Sequence, residues 1–326
     1  MVTFSSLVAT VAMFAALMIP GFVMGKSKRI ENGAMVTVGN ILSDVARPAL
    51  VFVKLIETDI LSLDITDILI AVLLLALLIP ALYFISRSVF KPRAGDREHL
   101  SASFCAMFSN CGFLGIPLAA ALFPHKPEVT VFVSLANVTS SFFFLTLGMK
   151  LLSEGMSGND EKKKRNPILE LLLRPVTFAV ALGVVCSLLK AGQKFPQMTQ
   201  YFGTLSQLTT PLSMTVLGYE LSKMTLSRLL GDRRVYIVAM IRLIVSPMLT
   251  LAILWCVRFI PGVTVSRELA AAMLMATAVS TAASSSAMAR SHGIEGSLAA
   301  SATLVNTILC VGTLPLLWLL FDAVFK

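Results

Sequence analysis

Apolar stretches alternate with short polar breaks along almost the whole chain. Each stretch is about 20 residues long, which allows an α-helix to cross the roughly 30 Å of hydrocarbon in a bilayer. The pattern predicts an all-α membrane protein with ten transmembrane helices, called spans one to ten below. Their predicted bounds are 3–25, 34–57, 67–90, 98–123, 128–152, 168–191, 200–224, 234–259, 268–291 and 297–323.

The loops on the two sides of these spans differ in charge. Loops that follow odd-numbered spans carry 17 Lys and Arg residues, and the remaining loops and ends carry seven. Because basic loops usually face the cytoplasm, this bias predicts that the odd-numbered loops are cytoplasmic. Both termini would then lie outside the cytoplasm, and the loop at 153–166 would lie inside it.

The ten spans also divide into two similar halves. Matched segments keep their order, and each half holds an odd number of spans, so the second half enters the membrane from the opposite side. The sequence therefore predicts two inverted five-helix repeats, 1–152 and 167–326, a layout associated with secondary transporters. Two pairs of repeat residues are predicted to serve helix packing. The matches are VGNILSDVARPAL with YFGTLSQLTTPLS, aligning Pro48 with Pro211; REHLSASFCAMFSN with RELAAAMLMATAVS; and SLANVT with TLVNTI, aligning Asn137 with Asn306.

The middle of span four interrupts the apolar pattern. Its segment MFSNCGFLGIPLAA, at 107–120, holds Asn110, Gly112, Gly115 and Pro117. Glycine weakens a helix, and proline removes a backbone donor and clashes with the preceding turn. A helix broken near the midplane of an inverted repeat exposes N–H groups that attract an anion. The segment thus predicts a substrate site, and a proline kink used only for packing is the alternative.

Span nine is the counterpart of span four in the second half. Its segment MATAVSTAASSSAMARSHG contains Ser280, Thr281, Ser284 and Ser285 and no proline. Such a run is compatible with close helix packing through small residues. Its place in the repeat favours the other interpretation, an unwound crossing whose hydroxyls line the substrate cavity.

Two charged residues lie within span two. Asp44 is near the predicted middle of the membrane, where charges are costly and are candidates for function. Arg47 follows three residues later, a spacing that allows the two to pair along one helix. A structural ion pair and a role in coupling or substrate binding both remain open. Glu220 and Arg242 are placed nearer to the ends of their spans, where long side chains reach water at little cost.

The composition agrees with a membrane protein and argues against other classes. Hydrophobic residues make up 56% of the 326 residues. Charged residues make up 14%, well below the share of charged residues in soluble domains. The net charge of +9 is divided among loops between apolar stretches, which argues against a nucleic-acid interface. The five cysteines show no metal-binding spacing, and the motifs of intramembrane and serine enzymes are missing from the sequence. Neither an enzyme nor a cofactor is expected.

Several segments, taken in order, resemble the auxin efflux carrier family. They are RPALVF (47–52), SNCGFLGIPLAAALF (109–123), TPLSMTVLGYELSK (210–223), IRLIVSPML (241–249) and MARSHGIEGSLAASATLVNTILCVGTLPLLWLL (288–320). That family includes plant auxin exporters and short bacterial malate and malonate permeases. The short 153–166 loop is similar to the bacterial kind, which implies the bacterial inner membrane, a plasma membrane, as the location.

The resemblance implies a fold and a mechanism. It implies ten helices in two inverted repeats, with spans four and nine broken and crossing, in a homodimer that moves organic anions by an elevator-like motion. It places the substrate carboxylate near Asn110, and the family's Gly-Ile-Pro corresponds to Gly115, Ile116 and Pro117. The implied partners are a mono- or dicarboxylate and the lipid bilayer, with a proton or sodium ion as a possible coupling ion.

The chain departs from the family pattern in span nine. Family members usually have a proline in that break, where this chain has Ser280 and Ser285, so the shape of the second crossing is left open. A channel and a sodium-coupled symporter of the bile acid kind are the alternatives among transport functions. Sodium sites need several oxygen ligands. The hydroxyls of span nine would supply some of them, although no acidic residue accompanies them in that segment.

Overall fold

The computed structural model describes residues 4–27, 32–92, 96–154, 167–223 and 231–325. These residues form helices joined by short connections, which confirms the all-α prediction. Six helices are long and apolar enough to cross a membrane, and two shorter apolar helices accompany them. The six are Phe4–Lys26, Gly33–Glu57, Ile65–Val89, Pro127–Ser153, Arg233–Val257 and Ser297–Val324, in predicted spans one, two, three, five, eight and ten.

Predicted spans four and nine are each interrupted. Span four consists of half-helix 4a, Glu98–Met107, and half-helix 4b, Cys111–Leu122. Span nine consists of half-helix 9a, Arg267–Thr277, and half-helix 9b, Ser285–Ser291. The second break therefore forms in this chain without the proline that the resemblance implied.

Predicted spans six and seven are also divided. Span six begins with Pro167–Leu172 and continues as Pro175–Leu188, where a proline occupies the first turn of the second helix. Span seven comprises Pro196–Ser206 and Thr209–Ser222, four residues longer at its start than predicted. Proline suits a helix start because its missing N–H would have no intrahelical acceptor there.

Three spans contain a π-helical turn that ends two residues before a proline. The turns are Leu42–Ala46, Cys111–Gly115 and Ile241–Val245, and a proline follows each after one intervening residue. Proline cannot donate to the carbonyl four residues before it and its ring crowds that carbonyl. A wider turn at that point relieves the clash while keeping the helix continuous.

The spans form two groups, which also pack against each other where span two meets span five and span one meets span ten. The flanking group comprises spans one, two, six and seven, in which span one lies along span seven and span six along span two. The crossing group comprises spans three, four, five, eight, nine and ten, and half-helices 4a and 9a are buried within it. Close glycine contacts hold span one to span seven: an added Cβ on Gly21 would lie 1.9 Å from the Thr215 carbonyl oxygen, and one on Gly218 would lie 2.0 Å from that of Met18.

Candidate functional site

The two interrupted spans meet at their breaks. The Asn110 N–H donates to the Ser280 carbonyl at 2.7 Å, and the Ala282 N–H donates to the Phe108 carbonyl at 3.0 Å. These bonds form a short antiparallel bridge centred on Ser109 and Thr281. The bridge pairs backbone groups that the loss of helix would otherwise leave unsatisfied in an apolar interior.

The C-terminal carbonyls of both preceding half-helices are bonded by side chains. Arg242 Nη1 donates to the Met107 carbonyl at 3.3 Å, and its Nη2 donates to the Thr277 carbonyl. Thr281 Oγ1 donates to the Cys105 carbonyl at 3.3 Å. The last carbonyls of a helix lack intrahelical donors, so these three bonds satisfy groups that each break leaves open.

Arg242 is not the snorkelling residue that its sequence position suggested. Only 2% of it is exposed, and its guanidinium lies against the ends of 4a and 9a. The expectation that it reaches water is therefore wrong, because the carbonyls of two broken helices provide buried partners that are not apparent in the sequence of span eight.

The start of half-helix 4b leaves hydrogen-bond donors without acceptors. The first N–H groups to bond within this segment are those of Leu114 and Gly115, which both donate to the Asn110 carbonyl. The N–H groups before them have no acceptor within the helix. The Asn110 side chain does not cap the helix, its Nδ2 has no hydrogen-bond partner, and only 3% of the residue is exposed.

A cavity of about 390 Å³ adjoins this helix start. It lies between the two groups of spans. The C-terminal part of span five and the start of Pro175–Leu188 in span six both border it. Polar and aromatic side chains from five spans line it. They include Ser43, Asp44, Arg47, Phe108, Ser109, Asn110, Phe113, Asn137, Ser140, Ser141, Phe144, Arg174, Thr177 and Ser284, together with Gly112.

Arg47 reaches from the flanking group into this cavity. Its guanidinium carbon lies 5.0 Å from the centre of the Phe113 ring, a cation–π contact, and its Nε has no hydrogen-bond partner. An added Cβ on Gly112 would lie 2.5 Å from Arg47 Nη1, so glycine at this position leaves room for the guanidinium. Asp44 also lines the cavity and is exposed. Among the ion pairs between described residues, none joins Asp44 to Arg47.

The cavity brings together part of the predicted substrate site. Asn110, Gly112 and Ser284 line it, as do the two charged residues predicted in span two. The remaining predicted residues are buried in packing and do not line this cavity: Gly115, Ile116 and Pro117 in 4b, and Ser280, Thr281 and Ser285 in span nine. Gly115 faces half-helix 9a, since an added Cβ there would lie 3.3 Å from the Met275 carbonyl oxygen.

The repeat residues have different surroundings. Asn137 lines the cavity beside Gly112, whereas Asn306 is fully buried and its Nδ2 donates to Thr281 Oγ1. Pro48 is half-buried two residues after a π turn, and Pro211 is exposed in the first turn of Thr209–Ser222.

Sequence reasoning missed several residues of the site. Arg174, at the start of Pro175–Leu188, is a second cation in the cavity lining. Span five contributes Ser140, Ser141 and Phe144, together with Asn137, which was predicted only to serve helix packing. These positions follow the i, i+3, i+4, i+7 spacing of one helix face, so the polar stripe was a signal available in the sequence. Within the described part of the chain, no group of three His, Cys, Asp or Glu side chains is placed to hold a metal ion.

Comparison with known proteins now identifies the family. A family model described as membrane transport protein matches residues 6–318. The chain belongs to this family. It is the auxin efflux carrier family that the motifs resembled, a family of transporters and not of enzymes, and the chain is accordingly a multi-pass membrane transport protein. Among curated proteins, the search finds no match.

Proposed function

We propose that this member of the family carries a small organic anion, a carboxylate, across the plasma membrane. The observation that carries the proposal is the unpartnered Nδ2 of Asn110, buried beside the free N–H groups of half-helix 4b. Buried donors are normally paired, because an unpaired one loses the hydrogen bonds that water would supply. A carboxylate accepts from amide and backbone donors together, and a helix N-terminus favours its charge.

Two cations support an anionic substrate at the same place. Arg47 and Arg174 both line the cavity, and the Nε of Arg47 is without a partner. The arginine fork matches a carboxylate in two parallel hydrogen bonds. The cavity volume of about 390 Å³ falls within the range of roughly 300–1,000 Å³ that small-molecule sites occupy. Asp44 is the acidic residue in this lining and is the candidate for coupling to a proton.

An elevator-like motion is the mechanism that we infer, in which the crossing group moves against the flanking group. Hydrogen bonds and ion pairs hold each group together internally. In the flanking group, Ser187 Oγ donates to the Thr58 carbonyl at 2.6 Å, and Thr209 Oγ1 donates to the Ala46 carbonyl at 2.9 Å. In the crossing group, the ion pairs are Arg87–Glu154, Arg234–Asp96, Lys126–Glu268 and Arg267–Asp322.

None of these bonds joins one group to the other. Away from the cavity lined by Arg47 and Asn110, the seam between the groups is apolar at two places. Two small cavities on it are lined by Val11, Phe14 and Met18 against Leu114, Leu118 and Leu314, and by Leu55, Val180 and Val184 against Val131, Phe132 and Leu135. Apolar contacts have no fixed direction, so the two bodies can slide past each other at these places with little loss of bonding.

The ten-span inverted repeat remains a proposal, and the packing supports it. Exchanging the two halves turns the pair of spans one and seven into the pair of spans six and two, and both pairs pack closely. The same exchange turns spans three and five into spans eight and ten, which also pack. An approximate two-fold relation between the halves accounts for both correspondences.

The orientation in the membrane is also a proposal from the charge bias. It places both termini outside the cytoplasm and the 153–166 loop within it. Residues 155–166 lie outside the described residues. A single cysteine at Ser157, in a background with the native cysteines replaced, should resist a membrane-impermeant thiol reagent in intact cells. Rapid labelling of that cysteine from outside would show that the orientation is the opposite of the proposed one.

Transport in proteoliposomes tests the function. Radiolabelled acetate, lactate, malonate, malate and citrate would be offered with an imposed proton gradient, an imposed sodium gradient or neither. We expect saturable uptake of at least one carboxylate and no uptake of its neutral amide. Uptake driven only by sodium would favour the symporter alternative, and the absence of carboxylate transport under all conditions would refute the proposal. Coupling and homodimer assembly stay predictions from the resemblance.

A further inference from the structure

Arg242 is a buried cation that the proposed anion site does not contact. It lies within Arg233–Val257, and it is absent from the lining of the cavity. No carboxylate forms an ion pair with it among the residues that the structure describes. A charged side chain inside a membrane is costly. Its presence therefore calls for partners other than a carboxylate.

Those partners are the negative ends of two helices. The guanidinium donates to Met107 and Thr277, the last residues of 4a and 9a, and its Nε lies 3.5 Å from the Val279 carbonyl oxygen. Half-helix 4a has 10 residues and 9a has 11, enough for each to have a dipole along its axis. Both C-termini point at the crossing that holds Asn110.

The charges at the crossing can be compared. A helix C-terminus carries about −0.5 elementary charge and an N-terminus about +0.5. The two C-termini therefore bring about −1 to the crossing, and the N-termini of 4b and of the shorter 9b together offset up to about the same amount. The helix ends around Asn110 thus give an anion no net attraction. Arg242 adds a full positive charge and makes the crossing positive.

We propose that Arg242 sets the charge preference of the site by cancelling the negative ends of 4a and 9a. The inference rests on the proposed function, since it concerns the same site. Arg242 is a positioning residue: it acts through the two half-helices and leaves substrate contact to Asn110 and the cavity lining. The crossing accepts a carboxylate because this guanidinium neutralises the helix C-termini that face it.

The experiment compares substitutions that separate charge from hydrogen bonding. Arg242→Lys keeps the charge, and Arg242→Gln keeps a donor without charge. Arg97→Gln is the matched control, because Arg97 also donates to three main-chain carbonyls, those of His292, Leu152 and Glu154, but at the far end of half-helix 4a. Each purified protein is titrated calorimetrically with acetate, lactate, malonate, malate and citrate and with their neutral amides.

Charge cancellation predicts a selective loss. Arg242→Gln should raise the dissociation constants of the carboxylates that the wild type binds by about tenfold or more. The ratio of carboxylate affinity to amide affinity should fall. Arg242→Lys should stay within about threefold of the wild type. Arg97→Gln should lower thermal stability without changing carboxylate affinity.

The outcomes separate this inference from the proposed function. A wild type that binds none of the carboxylates refutes the function, and the inference falls with it. A wild type that binds them, with unchanged affinity in Arg242→Gln or an equal loss in Arg97→Gln, overturns the inference alone. If Arg242→Gln fails to fold, Arg242→Lys decides: near-normal carboxylate binding supports the role of charge, and a tenfold loss refutes it.

Discussion

Asn110 combines two properties that rarely occur together, burial and an unpartnered side-chain donor. Asn110→Ala should remove a hydrogen bond to a charged group, worth roughly 1.5–3 kcal/mol, and weaken substrate binding about 10- to 150-fold. The protein should still fold, because the Asn110 side chain does not cap the helix. Calorimetric titration with the transported carboxylate measures the change.

A second asparagine provides the control for that substitution. Asn40 is exposed on span two and does not line the cavity. Asn40→Ala should leave the dissociation constant unchanged. Equal affinities in wild type and Asn110→Ala would assign the interrupted segment to helix packing alone.

Asp44 is exposed in the cavity and is not in an ion pair with Arg47 among the described residues, so its role is separable from stability. Asp44→Asn should leave the unfolding temperature in detergent unchanged. If the carboxyl couples transport to protons, the variant should lose uptake driven by a pH gradient and keep exchange of labelled for unlabelled substrate. Unimpaired pH-driven uptake in Asp44→Asn would exclude the coupling role.

At the scale of single residues, the sequence reveals only the anomalies that a local pattern can show. Asn110 and Gly112 are predictable because a polar amide and helix-weakening glycines stand out in an apolar span. The role of Arg242 is not, because its bonded carbonyls lie 35 and 135 residues away along the chain. Arg174 was missed because arginine is common at the ends of membrane helices, and only the tertiary structure shows that this one lines a cavity.

At the scale of elements, the breaks in spans four and nine have different origins. Pro117 and two glycines weaken span four locally, so that break could be predicted. Span nine has no proline, and its bridge to span four and the Arg242 bonds hold residues 278–284 out of a helix. The placement of the two breaks against each other depends on tertiary structure, which the residues of span nine alone do not encode.

The packing of span one on span seven leads to a prediction at this scale. Gly218→Ala would place a Cβ 2.0 Å from a main-chain oxygen, so the two helices must separate. We expect a loss of about 1–3 kcal/mol in stability, the usual cost of overpacking. Gly203 is the matched control, because a Cβ there meets nothing within 4 Å. Gly203→Ala should be neutral or stabilise by up to about 1 kcal/mol, through helix propensity.

Thermal unfolding in detergent, followed by fluorescence, compares the two glycine variants directly. A Gly218→Ala protein as stable as Gly203→Ala would show that spans one and seven are not held at the close distance seen in the structure.

At the scale of the whole molecule, the proposed substrate cavity lies on the seam between the two groups of spans. Arg47 and Arg174 reach it from the flanking group, and Asn110, Asn137 and Ser284 belong to the crossing group. A movement of one group against the other would therefore separate the cations from the asparagines. Such a change would weaken the hold on the anion after the movement and favour its release, which a carrier requires for turnover.

Restraining the seam tests this motion. Val180 of span six and Leu135 of span five line the same small apolar cavity from opposite groups. In a background without native cysteines, a reducible cross-link between cysteines at these two positions should abolish carboxylate uptake while substrate binding persists. Reduction of the cross-link should restore uptake.

The control is a cross-link between cysteines at Lys126 and Glu268, which form an ion pair within the crossing group and should tolerate linkage. Because that link joins two parts of one moving body, uptake should continue at the uncross-linked rate. Full uptake with the Val180–Leu135 link in place would mean that the two groups need not slide, and the elevator mechanism would be wrong for this protein.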